Sequence, residues 1–173
     1  MHKIITFLII GFMATNLSYG AMLSQGTGEV SIDGILDFDT ANGSLFSMHV
    51  GSGKFFWDGI EIGLKGGFSI DDRVESIGLG VFTEYDFDNG TEMVPFVGIS
   101  LDYEYVEIKI ARVDESSGAL VLGFNAGLKY FLVENVALAG KGELRFATDD
   151  VFAEDNGVGA TDFRFTLGLR FFY

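Results

Sequence analysis

Apolar and polar side chains alternate with a period of two through eight separate stretches of this chain, the period of strands whose two faces meet different surroundings. The last stretch is the clearest. From Thr161 to Tyr173, Phe163, Phe165, Leu167, Leu169, Phe171 and Tyr173 fall on one face and Asp162, Arg164, Thr166, Gly168, Arg170 and Phe172 on the other. The first, 28–38, sets Val30, Ile32, Leu36 and Phe38 against Glu29, Ser31, Asp33 and Asp37. The second ends at Trp57 and sets Phe46, Met48 and Val50 against Ser47, His49, Gly51 and Gly53. Stretches 60–70, 77–87, 95–105, 120–130 and 136–146 repeat the pattern. Asp58-Gly59, Asn89-Gly90 and Glu134-Asn135 supply tight turns, whereas 39–43, 71–76, 106–118 and 147–160 read as longer polar loops. Each stretch has about 9–13 residues, the length a tilted strand needs to cross a bilayer. With no helical periodicity and no second domain, the pattern predicts an all-β, eight-stranded antiparallel up-and-down transmembrane β-barrel.

Alternation alone leaves open which face lines the inside, since a soluble ligand-carrying barrel would turn its apolar face inward. Bulk decides between them. The apolar face carries Phe46, Phe68, Tyr85, Phe87, Tyr103, Tyr105, Phe124, Tyr130, Phe146, Phe163, Phe165, Phe171 and Tyr173, more volume than an eight-stranded lumen holds. The opposite face is rich in Gly, Ser and Ala and also carries the charges: Lys65, Lys129, Lys141, Arg145, Arg164 and Arg170 with Glu29, Asp33, Asp37, Glu61, Glu84, Asp86, Asp102, Glu104 and Glu143. An Arg or Lys facing lipid at the midplane would cost roughly 2–4 kcal/mol, so the charged face is expected inside. Aromatic residues gather at the stretch ends, with Phe55, Trp57, Phe87, Tyr130, Phe171 and Tyr173 near one rim and Phe38, Phe46, Tyr105, Phe146 and Phe163 near the other. They are expected to form two interfacial girdles.

The N-terminus adds an address. A basic start at Met1-His2-Lys3, an apolar run from Ile4 to Met13, and small residues at Ser18 and Gly20 before Ala21 form a secretory signal peptide cut after Gly20. That leaves residues 21–173 as the barrel domain. Losing Lys3 moves the net charge from -14 to -15, which excludes nucleic acid as a partner. The absence of Cys excludes a disulfide scaffold, a thiolate metal site and an acylated N-terminal cysteine.

Candidate chemistry is sparse. His49, the sole histidine after signal removal, points inward and is expected to be a hydrogen-bonded plug residue; no catalytic constellation assembles around it. The interior charges are expected to pair, with Lys65, Lys141, Arg145, Arg164 and Arg170 against Glu61, Glu84, Glu143 and their neighbours. The acidic loops match no calcium-loop spacing, so neither a metal nor a cofactor is expected. Loops 106–118 and 147–160 are the best candidates for contacts with surface partners because they are long and exposed.

Three stretches resemble the bacterial outer-membrane β-barrel domain family, the small barrels akin to outer membrane proteins A and X. They are Gly53-Lys54-Phe55-Phe56-Trp57-Asp58-Gly59, the run Gly127-Leu128-Lys129-Tyr130-Phe131-Leu132-Val133-Glu134-Asn135-Val136-Ala137-Leu138, and the end Thr166–Tyr173. The resemblance implies the outer membrane of a Gram-negative bacterium, contact with membrane lipids and lipopolysaccharide, and both termini in the periplasm. It also implies an assembly signal read by the outer-membrane assembly machinery, carried by Thr166, Gly168, Phe171 and Tyr173. The expected function is a structural or surface-interaction role without catalysis. The alternatives are a narrow porin-like channel and, behind it, a lipid A-modifying enzyme.

Overall fold

A computed structural model of the chain describes residues 23–40, 43–70, 74–110, 113–154 and 157–173, with the side chains of 35–40, 43–45, 74, 108–110, 113–116, 153–154 and 157–158 outside the description. The signal peptide and the cleavage point after Gly20 lie outside the described residues. The elements are β1 (Gly28–Thr40), β2 (Gly43–Trp57), β3 (Ile60–Ile70), β4 (Val74–Asp86), β5 (Met93–Ile110), β6 (Val113–Val133), β7 (Val136–Ala147), β8 (Phe152–Glu154), β9 (Gly157–Gly159) and β10 (Thr161–Phe172). Eight of them close into one barrel in the order β1-β10-β7-β6-β5-β4-β3-β2, every neighbour antiparallel.

Tight turns set one end of this wall. Gly59 and Gly90 have φ of 74° and 68°, the left-handed region that a side chain resists, so glycine is what lets the chain reverse there. The first described residues and the C-terminal residue meet at this same end. Gly28 and Tyr173 exchange backbone hydrogen bonds of 2.8 and 2.9 Å, and the amide of Gly59 donates to the carbonyl of Leu23 at 2.8 Å. The closing seam is short, since β1 and β10 register from Glu29↔Phe172 only to Gly34↔Leu167. On its other side β10 pairs with β7 from Thr161↔Phe146 to Phe171↔Val136.

Parity then sorts the side chains. Ile32, Leu64, Leu79, Tyr103, Leu122, Leu144, Phe163 and Leu167 stand exposed on the outer wall, while Glu29, Asp33, Glu61, Glu84, Asp102, Lys129, Glu143, Arg145 and Arg170 are buried inside. The aromatic residues Trp57, Phe87, Tyr130, Phe171 and Tyr173 at one rim, and Phe46, Tyr105, Phe146 and Phe163 at the other, also face outward. Phe38 lies outside the described side chains.

Four expectations are corrected. Phe55 does not belong to the girdle: it is 0% exposed and packs inside with Leu23, Val94, Phe131, Ala137 and Phe172. Phe55 continues the inward parity of Gly51 and Gly53, and the register shift with β3 between Phe55 and Trp57 lets the adjacent Phe56 and Trp57 both face outward. Residues 106–118 are not a solvated loop either. Strands β5 and β6 continue through them, pairing Val106↔Ser117 up to Ile110↔Val113, and Val106 is buried. Finally, the segment 147–160 is only partly polar surface: β8 and β9 form a small hairpin, and Val151 and Phe152 are buried against Val106, Ala119 and Val121. Likewise β4 starts at Val74, inside the stretch 71–76 expected to be loop.

Candidate functional site

The site is the barrel interior, and the strand registers stack its charges in tiers. Nearest the turn end, Lys129 of β6 is 0% exposed. Its Nζ lies 2.9 Å from Glu29 Oε2, 2.7 Å from Glu84 Oε1 and 3.0 Å from Asp86 Oδ2, reaching β1 and β4 across the lumen. Phe55, Phe96 and Phe172 turn their rings toward the same ammonium, at 5.9, 5.3 and 5.7 Å. In the next tier, Arg170 of β10 holds Asp33 Oδ1 at 2.6 Å and Oδ2 at 3.2 Å and reaches Glu29 Oε1 through Nε at 3.1 Å. Lys141 adds a bond of 3.0 Å to Asp33 Oδ2.

Higher up, Lys65 joins Asp102 (3.0 Å), Glu143 (3.4 Å) and Ser100 Oγ (3.0 Å). Glu143 also receives Arg164, 2.8 Å from Nε and 2.6 Å from Nη2. At the far rim Arg145 bonds Glu104 and, at 3.2 Å, Asp162, and lies over the Phe152 ring at 4.4 Å. Such charges remain inside only because partners surround them.

The expected cations are thus placed as follows. Lys65 and Arg164 share Glu143, Lys141 and Arg170 share Asp33, and Arg145 stands apart with Glu104 and Asp162. Glu84 is met by Lys129, which lay outside the expected pairs. Glu61 does not pair: it is fully buried and neither carboxylate oxygen has a hydrogen-bond partner. Gly53 gives it room, because a Cβ there would run into the Glu61 carboxyl group.

His49 sits inside with Nδ1 3.4 Å from Ser47 Oγ and Nε2 3.4 Å from Arg164 Nη1. A cavity of about 30 Å³ lies between His49, Lys141, Arg164, Thr166 and Arg170, room for roughly one or two waters. Of the terminal signal residues, Thr166 is buried inward, Phe171 and Tyr173 face outward, and Gly168 lies against Asp33 and the Ile32 carbonyl.

Both ends of this interior are stopped by apolar side chains. Leu23, Phe55, Val94, Phe131, Ala137 and Phe172 fill the turn end, with Phe131 and Phe172 stacked at 5.1 Å. Val106, Ala119, Val121, Val151 and Phe152 fill the other. The first plug was hidden in sequence by its inward aromatics, which parity places among small and charged residues; the second is hidden in an acidic loop.

A family model described as Opacity family porin protein matches residues 57–173. Among solved structures, the chain is similar to the N-terminal β-barrel domain of Pseudomonas aeruginosa OprF, with 18% identity and a TM-score of 0.66 over 86% of this chain and 98% of that one. It is similar to Neisserial surface protein A, with 16% identity and a TM-score of 0.61 over 84% and 95% of the two chains. The Yersinia pestis outer membrane protein Ail in a phospholipid bilayer nanodisc shares 13% identity and a TM-score of 0.51 over 86% and 100%. These likenesses are of fold: small eight-stranded outer-membrane barrels. No curated protein sequence matches the chain.

Proposed function

The chain belongs to the Opacity family of porin proteins, and from that membership we propose that it serves the outer membrane as a closed, non-conducting barrel with an envelope-supporting and surface-contact role and no catalysis. The observation that carries this reading is the double closure of the lumen. Among the described residues, apolar clusters stand at both ends, ion pairs occupy the tiers between them, and the cavity beside His49 has about 30 Å³. A hydrated ion would have to pass both apolar clusters. Reconstitution in planar lipid bilayers tests this. A silent membrane at high protein loading is the expected result, and discrete unitary steps would make the barrel a narrow pore instead.

The surface-contact role is supported by the height of the β5–β6 hairpin. The β7 strand leaves β6 at Ala147↔Val121, whereas β6 begins at Val113, so the hairpin rises roughly 25 Å of strand further at about 3.3 Å per residue. The short turns lie with both termini at the opposite end, the arrangement expected if that end is periplasmic. The partners proposed are membrane lipids and lipopolysaccharide around the wall, the assembly machinery at the C-terminal strand, and surface partners at 106–118 and 147–160. Replacing those two segments should abolish adhesion while the barrel still inserts; adhesion that persists removes this part of the reading. Lipid A mass spectra are expected to be identical for wild type and His49→Ala, and a changed spectrum would restore catalysis.

A further inference from the structure

Charge does not balance at the turn end of the lumen. Lys129 donates hydrogen bonds to Glu29 and Asp86, and its ammonium stands 2.7 Å from Glu84 Oε1, an oxygen that is buried without a hydrogen bond of its own. No donor reaches Glu61. Its two oxygens, and Oδ1 of Asp86, are buried without a hydrogen-bond partner. Among the described residues the other cation at this level is Arg170, which touches Glu29 but is also committed to Asp33. Four carboxylates therefore face one ammonium and a shared guanidinium, so with all of them ionised two negative charges stay uncompensated behind the apolar plug. Buried carboxyl groups stay ionised only when something positive neutralises them, and otherwise they hold a proton.

The oxygens are already gathered. One from each of Glu29, Glu61 and Glu84 lies within 4.8 Å of the others, and the Glu61 carboxyl group, which no protein donor holds, completes the set. An ion at the centre can hold oxygens no further apart than twice its bond length. For calcium, at about 2.3–2.6 Å, that limit is roughly 5 Å; for magnesium, at about 2.0–2.1 Å, it is roughly 4.2 Å. Oxygens within 4.8 Å of one another lie inside the span that a calcium ion can bridge. An all-carboxylate donor set also selects hard cations over thiophilic or imidazole-seeking ones.

We propose that Glu29, Glu61 and Glu84 hold a buried divalent cation of the calcium class, with Lys129 and Arg170 bracing the ligand carboxylates from outside. Two positive charges make up the deficit. Because Leu23, Phe55, Phe131 and Phe172 close the pocket, the ion is captured as the barrel folds and exchanges slowly afterwards. Ions attracted to the acidic outer loops exchange on mixing, so retention separates the two.

The test uses the barrel purified from membranes in detergent, unfolded in urea and refolded with either calcium chloride or EGTA. After desalting into EGTA, metal is counted by inductively coupled plasma mass spectrometry, and the folded fraction by the heat-modifiability gel shift. About one calcium per folded wild-type barrel is expected to survive desalting, with none in Glu61→Gln. Wild type refolded in EGTA should lose its gel shift at a lower temperature than wild type refolded in calcium. Calcium added after folding should not restore it quickly. If Glu61→Gln does not fold, Glu84→Gln replaces it, and the wild-type comparison stands without either. Absence of retained calcium in wild type overturns the proposal, as does equal retention in wild type and variant. A Glu61→Gln barrel as stable in EGTA as calcium-loaded wild type would show that a proton neutralises Glu61, which also overturns it.

Discussion

Replacing Arg170 with Met isolates the link that closes the barrel. Arg170 reaches from β10 to β1 with two bonds to Asp33 and one to Glu29, and both its acid partners are buried. Methionine keeps much of the stem volume but leaves Asp33 with Lys141 alone and Glu29 with Lys129 alone. Removing one partner of a buried pair costs about 3–5 kcal/mol, which is roughly a 10²- to 10⁴-fold shift toward the unfolded state. The seam has little to compensate with, because its register ends at Gly34↔Leu167. Urea unfolding in detergent micelles, followed by Trp57 fluorescence and by gel shift, should show this loss in the midpoint. Adding Asp33→Asn removes the stranded charge, so the double variant should lose about 0.5–3 kcal/mol less than the sum of the singles. A stability for Arg170→Met within about 0.5 kcal/mol of wild type would refute the reasoning, and so would strict additivity in the double variant.

Three further outcomes are expected. Phe55→Ala empties the centre of the turn-end plug and should cost about 3–5 kcal/mol in the same urea titration, whereas an outward girdle residue would cost far less. Gly168→Val would push a side chain into Asp33 and the Ile32 carbonyl at the seam, so the heat-modifiable folded fraction should fall; an unchanged fraction would show that the seam relaxes freely. Deleting Phe171–Tyr173 removes both backbone bonds between Tyr173 and Gly28 and takes Phe172 out of the plug. The truncated chain should accumulate unassembled in the periplasm, and normal insertion on membrane fractionation would count against the terminal stretch as an assembly signal.

The wall of this barrel was legible because strand parity is a local property: each alternating residue declares its side, and eight stretches agreed. Who meets whom inside was not. Lys129 finds Glu29 and Asp86 because β6 stands across the lumen from β1 and β4, a relation set by closure and not by spacing along the chain. Glu61 looked like one more acid to be paired, yet no donor reaches its carboxylate oxygens. Phe55 falls on the inward parity of Gly51 and Gly53, but its place beside Phe56 and Trp57 at a strand end made it read as a girdle residue. The tall hairpin was missed because Glu107, Lys109, Asp114 and Glu115 are polar, and polarity marks water without distinguishing a loop from a strand standing in it.

The unequal height of the wall has a mechanical consequence. Beyond Val121 the free side of β6 has no β7 beside it, whereas β4 follows β5 as far as Val74↔Ile108. A load applied near the hairpin tip therefore acts away from the barrel axis, as a torque. It is resisted on one flank by the β4–β5 ladder and on the other by the hydrogen bonds between Leu120 and Thr148 and the small apolar cluster that holds Phe152 and Val121. Whatever grips the hairpin tilts the cylinder in its bilayer as well as pulling on it, and the flank that gives first is the one carrying Val151 and Phe152.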